Sequence, residues 1–270
     1  MKSFEYDGQS TDTIVDKPLM IVQFDRTTDV DGFVRTIQKG EKTLVRQDVN
    51  HYGAMYSDDA VYTFYLIKKD GSKFTEIEHR KINKWLTSPT LPKPITAVTD
   101  DNETVIYKGV FTSIGWKTIT GNKDAVMCEL TCDTPMCWKK ETKTYQSQVT
   151  TPAVFEISSD DSEYVIYPKI IIKIPSGTEQ QTINIKNNDD GGTLSVLCNP
   201  NLPIYIDCKN CMITDGTVTG VIDFEDIGWS DVGKIYWMKL KDGTNNLSIT
   251  GNCTVTLEYE VPIKRVGDFV

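Results

Sequence analysis

Near the end of the chain apolar residues recur at every second position. Ile235, Trp237, Leu247 and Ile249 keep one parity, and after Gly251 and Asn252 the beat resumes at Cys253, Val255, Leu257, Tyr259 and Val261. Thr254, Thr256, Glu258 and Glu260 fill the places between, as in a strand with one face on a core and the other in solvent. The Gly-Asn pair supplies the positive φ angles of a two-residue turn, so residues 235–261 are predicted to close as a β-hairpin. A slip of one residue would turn every apolar side chain outward, which fixes the register.

The same period gives strands at 19–24, 43–49 and 60–67. The turn Lys69-Asp70-Gly71-Ser72 then leads to the one predicted helix: Thr75 and Glu78 have the spacing of a capping box, and Ile77, Ile82, Trp85 and Leu86 recur near helical spacing until Ser88-Pro89. Strands resume at 104–107, at 110–119 and, past Gly121-Asn122, at 125–132, where Val126, Cys128, Leu130 and Cys132 share the core-facing parity. Residues 139–151 are polar, lack periodicity and run into Pro152. They are predicted to be an exposed linker between a first domain at 1–138 and a second at 152–270. From Ala153 onward no helix signal is found. Short strands at 154–157, 164–167, 170–174, 182–185, 193–197, 204–207 and 212–214 precede the final pair. The fold class is therefore mainly β: a β-rich first domain with one short α-helix, then a two-sheet β-sandwich of jelly-roll type.

Composition narrows the function more than the fold. A formal charge of −9 and a pI near 4.9 argue against a protein that grips nucleic acid by neutralising phosphate. The start of the chain has no apolar run of signal-peptide length, and Ile170-Ile171-Ile172 is bracketed by Lys169 and Lys173, so cytoplasmic synthesis without membrane insertion is expected. Seven cysteines at irregular spacing suit free thiols in a reducing compartment.

Several stretches together resemble the distal tail proteins of long-tailed, siphovirus-type bacteriophages. In the first half they are Asp70-Gly71-Ser72-Lys73-Phe74-Thr75-Glu76-Ile77-Glu78 with the helix to Trp85-Leu86, then Gly109-Val110-Phe111, then Cys132-Asp133-Thr134-Pro135. In the second half, Ile204-Tyr205-Ile206-Asp207 and Leu240-Lys241-Asp242-Gly243-Thr244-Asn245, leading into Ile249-Thr250-Gly251-Asn252, are similar to that family's galectin-like domain. The resemblance rests on order and spacing along nearly the whole chain. It implies a virion structural protein without catalysis: a belt domain closing as a homo-hexamer at the distal end of the tail, with galectin-like sandwiches projecting outward. Such a ring joins the tail tube and tape-measure proteins above to tail-tip or baseplate proteins below, serves host adhesion, and passes DNA through its channel without specific binding. Some relatives carry a long arm in the sandwich to hold receptor-binding proteins; the loops between predicted strands here are short, so no arm is expected.

Other chemistry is weighed residue by residue. Asp223, Glu225 and Asp226 beside Trp229 suggest a glycosidase pair, but neighbouring loop carboxylates are ordinarily just solvated. His79, next to Arg80 on the helix, is expected to be exposed. Cys208-Lys209-Asn210-Cys211 is half of a zinc site with no second half, and reads as two cysteines flanking a two-residue loop, either as thiols or as a strained bridge. Asp29-Val30-Asp31-Gly32 lacks the further ligands of a calcium loop. No cofactor or metal is expected. Trp229 and Tyr236 are candidate glycan contacts, by analogy with lectins of sandwich shape, whereas Trp237 follows the inward parity. The alternative to the tail protein is accordingly a carbohydrate-binding module.

Overall fold

The computed structural model describes residues 1–24, 35–39, 51–56, 60–119, 122–200, 202–217, 220–228 and 235–264. The strand expected at 43–49, the residues 29–32 and Trp229 lie outside them. The chain divides into two compact units, Met1–Trp138 and Lys139–Ile263, with Lys264 counted in the first.

The first unit is one antiparallel sheet. Its strands are β1 (Ser3–Tyr6), β2 (Gln9–Ser10), β3 (Leu19–Val22), β6 (Ala60–Lys68), β7 (Lys93–Val98), β8 (Thr104–Ile119) and β9 (Asn122–Cys132), in the order β3-β6-β9-β8-β7-β1-β2. Asp7 and Gly8, both at positive φ, make the two-residue turn between β1 and β2. The sheet curls strongly. Phe4 of β1 lies 6.0 Å from Phe64 of β6, four strands away along the sheet, and the Leu19 amide donates to the Thr11 carbonyl at 2.9 Å. Between β3 and β6, which are neighbours, the chain adds a separate hairpin of β4 (Arg35–Lys39) and β5 (His51–Tyr56).

Helix α1 (Glu76–Thr87) covers the concave face. Thr75 caps it, with both arms of the capping box formed, and Trp85 stacks on Phe4 at 5.4 Å while its indole Nε1 donates to the Tyr6 carbonyl. The buried positions are Glu78, His79, Ile82, Trp85 and Leu86; Ile77, expected among them, is 68% exposed. At ~100° per residue Ile77 points about 140° from the centre of that face.

The second unit is a sandwich of two antiparallel sheets. One has the order β16-β15-β12-β18-β10, from β10 (Cys137–Ser147), β12 (Lys169–Lys173), β15 (Ile204–Asp207), β16 (Met212–Thr214) and β18 (Cys253–Ile263). The other is β11-β17-β13-β14, from β11 (Thr150–Ile157), β13 (Gln181–Asn187), β14 (Thr193–Cys198) and β17 (Gly243–Thr250). Ile170 and Ile172 of the first, Ile183 and Ile185 of the second, and the inward side of β18 meet in one core.

Two expectations are corrected here. Residues 139–151 are not a linker: they form β10 from Lys139 to Ser147 and the first residues of β11. Their outward side is solvated and their inward side only half-buried, so both parities are polar and the period of two is hidden. Nor do the final strands pair with each other. β17 joins β11 and β13 while β18 joins β12 and β10, so Gly251-Asn252 carries the chain from one sheet to the other. The burial parity of both strands is as expected, with Leu247, Ile249 and all of Cys253, Val255, Leu257, Tyr259 and Val261 inside. Upstream the parity differs: residues 235–240 form no strand, and the buried side chains are Met238 and Leu240.

Candidate functional site

The convex face of the first sheet is unusually apolar for a solvent side. Met20 and Val22 on β3, Tyr65 and Ile67 on β6 and Met127 on β9 lie on one surface, because Met20 pairs with Ile67, Val22 with Tyr65 and Tyr65 with Met127. Phe24 adds to the patch, its ring 4.8 Å from that of Tyr65, and the Lys117 ammonium sits 4.5 Å from the Phe24 centroid and 5.0 Å from that of Tyr65. Gly115 leaves room for Met127 to lie across it, since a Cβ there would come within 3.0 Å of the Met127 methyl. Met20 is 39% exposed and the others are half-buried. Contiguous apolar surface of this kind is suited to contact with another molecule.

A second, chemically different patch lies on the solvent side of α1. Ile77, Lys81 and Lys84 share one stripe with Arg80 beside them, and all are exposed. The two patches are carried by opposite sides of the unit, one on the convex sheet face and one on the helix that covers the concave face.

Beneath that helix is a buried ion pair. The Lys68 ammonium lies 2.7 Å from Glu78 Oε1 and 3.3 Å from Asp16, while Glu78 Oε2 accepts from the Thr75 amide at 2.7 Å. Burial alone would raise the Glu78 carboxyl, but the hydrogen bonds from Lys68 and Thr75 outweigh it and hold it at about 2, well below its ordinary 4.5. For Lys68 burial works downward and the contacts with Glu78 and Asp16 upward, and the net is raised. His79 is next to this pair and is buried, not exposed as expected: its ring packs 3.6 Å from that of Trp116. These groups hold the helix to the sheet.

In the second unit, Tyr236 is committed to structure. Its ring lies over Gly192, where a Cβ would be 2.1 Å from it; its hydroxyl donates to Asp190 at 2.7 Å and accepts from Asn187 at 3.2 Å. Burial first, then the bond to Asp190, push the phenol up to about 12. Trp237 is half-buried against the core beside Phe224. Asp223, Glu225 and Asp226 are exposed around a 3₁₀ turn, Phe224–Ile227, a short helical element the sequence did not signal. Cys208 and Cys211 do not flank a two-residue loop. Both lie within the turn between β15 and β16, Cys208 buried and Cys211 exposed, and both are free thiols. Burial raises the Cys208 thiol to about 12.

Among the described residues no group of His, Cys, Asp and Glu is placed to hold a metal ion, and the first unit presents two surfaces that the sequence did not single out. A signal for the convex patch existed. The run Val61-Tyr62-Thr63-Phe64-Tyr65-Leu66-Ile67 is apolar on both parities, the pattern of a strand covered on both faces.

Comparison with known proteins finds two family matches. Residues 1–134 match a family described as a phage tail protein N-terminal domain, and residues 137–259 one described as a phage tail C-terminal domain. Among solved structures, the crystal structure of SPP1 Dit (gp 19.1), described as a paradigm of the hub adsorption apparatus in phages infecting Gram-positive hosts, matches with a TM-score of 0.59. Identity is 17%, over 96% of this chain and 98% of that one. A chain of the phage P2 baseplate in its activated conformation with Ca matches at 0.55 and 11% identity, over 100% of both chains. The corresponding baseplate with Sr matches at 0.56 and 10%, again over 100% of both. At such identities the likeness is one of fold. No curated protein matches the sequence.

Proposed function

Since this chain belongs to the phage tail protein family, we propose that it is the subunit of a hexameric hub ring at the distal end of the tail. It is a phage tail protein with the fold of hub and baseplate components. In the proposed ring the first unit makes the subunit contacts, and the sandwich is free to engage neighbours. The tail tube and tape-measure proteins lie above and the tail-tip proteins below; no chemical step is involved.

The observation that carries this reading is the pair of unlike patches on the first unit. A rotational ring above two-fold is built from head-to-tail contacts, so each subunit must offer two different surfaces. The apolar convex face and the basic, Ile77-bearing side of α1 meet that requirement. Charge supports passage of DNA: residues 139–263 hold 10 lysines against 17 acidic residues, net −7, leaving −2 of the total −9 on the rest of the chain. The ring-forming part therefore has no cationic surplus with which to grip phosphate. The carbohydrate-module alternative gains nothing from Tyr236, whose ring and hydroxyl are both engaged.

Light scattering on the full-length protein tests the proposal. A mass of six times the 30.5 kDa subunit is expected. A monomer that stays monomeric at high concentration would remove the ring.

A further inference from the structure

We propose that a cleft in the second unit is the seat for an extended, basic segment of another tail protein, with the tail-protein reading entering only in the identity of that neighbour. The described residues of the connection between β16 and β17, 215–217, 220–228 and 235–242, form no strand, although short loops are expected here. A connection of that length in a compact domain is ordinarily functional or disordered. The described part is neither loose nor idle. The Asp215 amide donates to the Gly220 carbonyl at 2.8 Å, the Ile222 amide to the Ile213 carbonyl at 3.1 Å, and Ile227 is buried in the core.

This connection, together with the ends of β14 and β15, encloses a cleft of about 420 Å³. Leu202 and Val221 line it and are 42% and 66% exposed, so they offer an occupant apolar surface. Its polar lining is Gln180, Asn199, Asp215 and Asp226. The chemistry of these residues selects the occupant.

Asp215 is held in place: its Oδ1 accepts from the Thr217 amide at 2.8 Å and from the Thr217 hydroxyl at 2.7 Å, bonds that keep the carboxyl ionised. It lies against Gly220, where a Cβ would fall 1.8 Å from Oδ1, so glycine is what permits the arrangement. Asp226 supplies a second exposed carboxylate, and among the described lining residues there is no Lys or Arg to neutralise either. Two uncompensated carboxylates call for a cation on the partner, and residues 139–263, at net −7 with no arginine, would draw it in. Gln180 and Asn199 each present an amide donor and acceptor, which match the backbone of an extended peptide. Leu202 and Val221 receive an aliphatic side chain. Among the described lining residues none is aromatic, so they offer a pyranose no ring to stack on.

The test uses full-length protein and a fluorescent pentapeptide alternating lysine and leucine, read by anisotropy. Binding is expected to weaken at least about tenfold in Asp215→Lys/Asp226→Lys and likewise in Val221→Asn, which removes the apolar contact without adding charge. A charge-matched control away from the cleft, Asp160→Lys/Glu163→Lys, should bind nearly as the parent does. Asp215→Lys removes the two hydrogen bonds from Thr217, so the melting temperature of each variant is read to confirm the fold, and its mass by light scattering alongside. Equal losses in the cleft and control variants would reduce the effect to bulk charge and overturn the proposal. So would undiminished binding in the cleft variants, equal binding of a glutamate-leucine peptide, or displacement by a neutral oligosaccharide. Because the oligomer is read separately, loss of the ring and loss of the peptide site are distinguishable results.

Discussion

A lysine and a glutamate buried under a helix are costly unless each is fully paired, and Lys68 and Glu78 meet that condition through Asp16 and the Thr75 cap. The pair makes a pH dependence. The Glu78 carboxyl is at about 2 in the folded protein against an ordinary 4.5, so its contribution is complete above 4.5 and is lost as pH falls through about 2. Glu78→Gln keeps a capping side chain but removes the charge, so we expect it to destabilise the protein at pH 7 and to match the parent near pH 2. Denaturant unfolding at both pH values checks this, and a gap that widens on acidification would contradict the assignment. The capping box was visible in sequence because it is local, three residues apart. The burial of its glutamate and of His79 was not, since it depends on contacts outside the helix, with Lys68 of β6 and with Trp116 of β8.

At the scale of elements, alternation reveals which side of a strand is buried but not which strand lies beside it. β17 and β18 alternate as two strands of a hairpin would, yet they face each other across the core from different sheets. The turn itself shows why. The Gly251 amide donates to the Val149 carbonyl, and Gln181 grips Asn252 through both its amide atoms, at 3.1 and 3.0 Å. A Cβ on Gly251, at φ +116°, would lie 2.5 Å from Ile183 Cδ1, so the glycine serves close approach to β13 as well as the turn. Parity remains a sound guide to mutation. Leu257 is fully buried, whereas Thr256 is half-exposed and shares a hydrogen bond with Thr144. Leu257→Asp should cost several kcal/mol by burying an unpaired carboxylate, and Thr256→Asp about 1 kcal/mol or less. Chemical denaturation of the two variants measures the contrast; the reverse order would mean that β18 is turned over. β10 escaped notice for the opposite reason. Its polar residues on both parities carry no period, and only pairing such as Lys140 with Glu258 and Tyr259 with Glu141 makes it a strand.

For the whole molecule, the question is how six identical subunits would close, and the two patches on the first unit allow a test that does not depend on seeing the ring. Met20 stands for the convex face and Ile77 for the helix side; they are 39% and 68% exposed, so an aspartate at either should leave the fold intact. If contacts run head to tail, Met20→Asp retains a working helix patch and Ile77→Asp a working convex patch. Each variant alone then has only one usable surface, whose complement is damaged on every copy, and should be monomeric. Mixed in equal amounts, they should form a heterodimer and stop there, because the intact surface of one meets the intact surface of the other only once. A two-fold contact between like patches predicts something else: each variant would still form a homodimer through its undamaged patch. Native mass spectrometry of the two variants and their mixture separates the cases. Homodimers of either variant, or rings from either, would refute the head-to-tail assignment, while two monomers combining into a single heterodimer would be the signature of a ring subunit with one interface broken on each side.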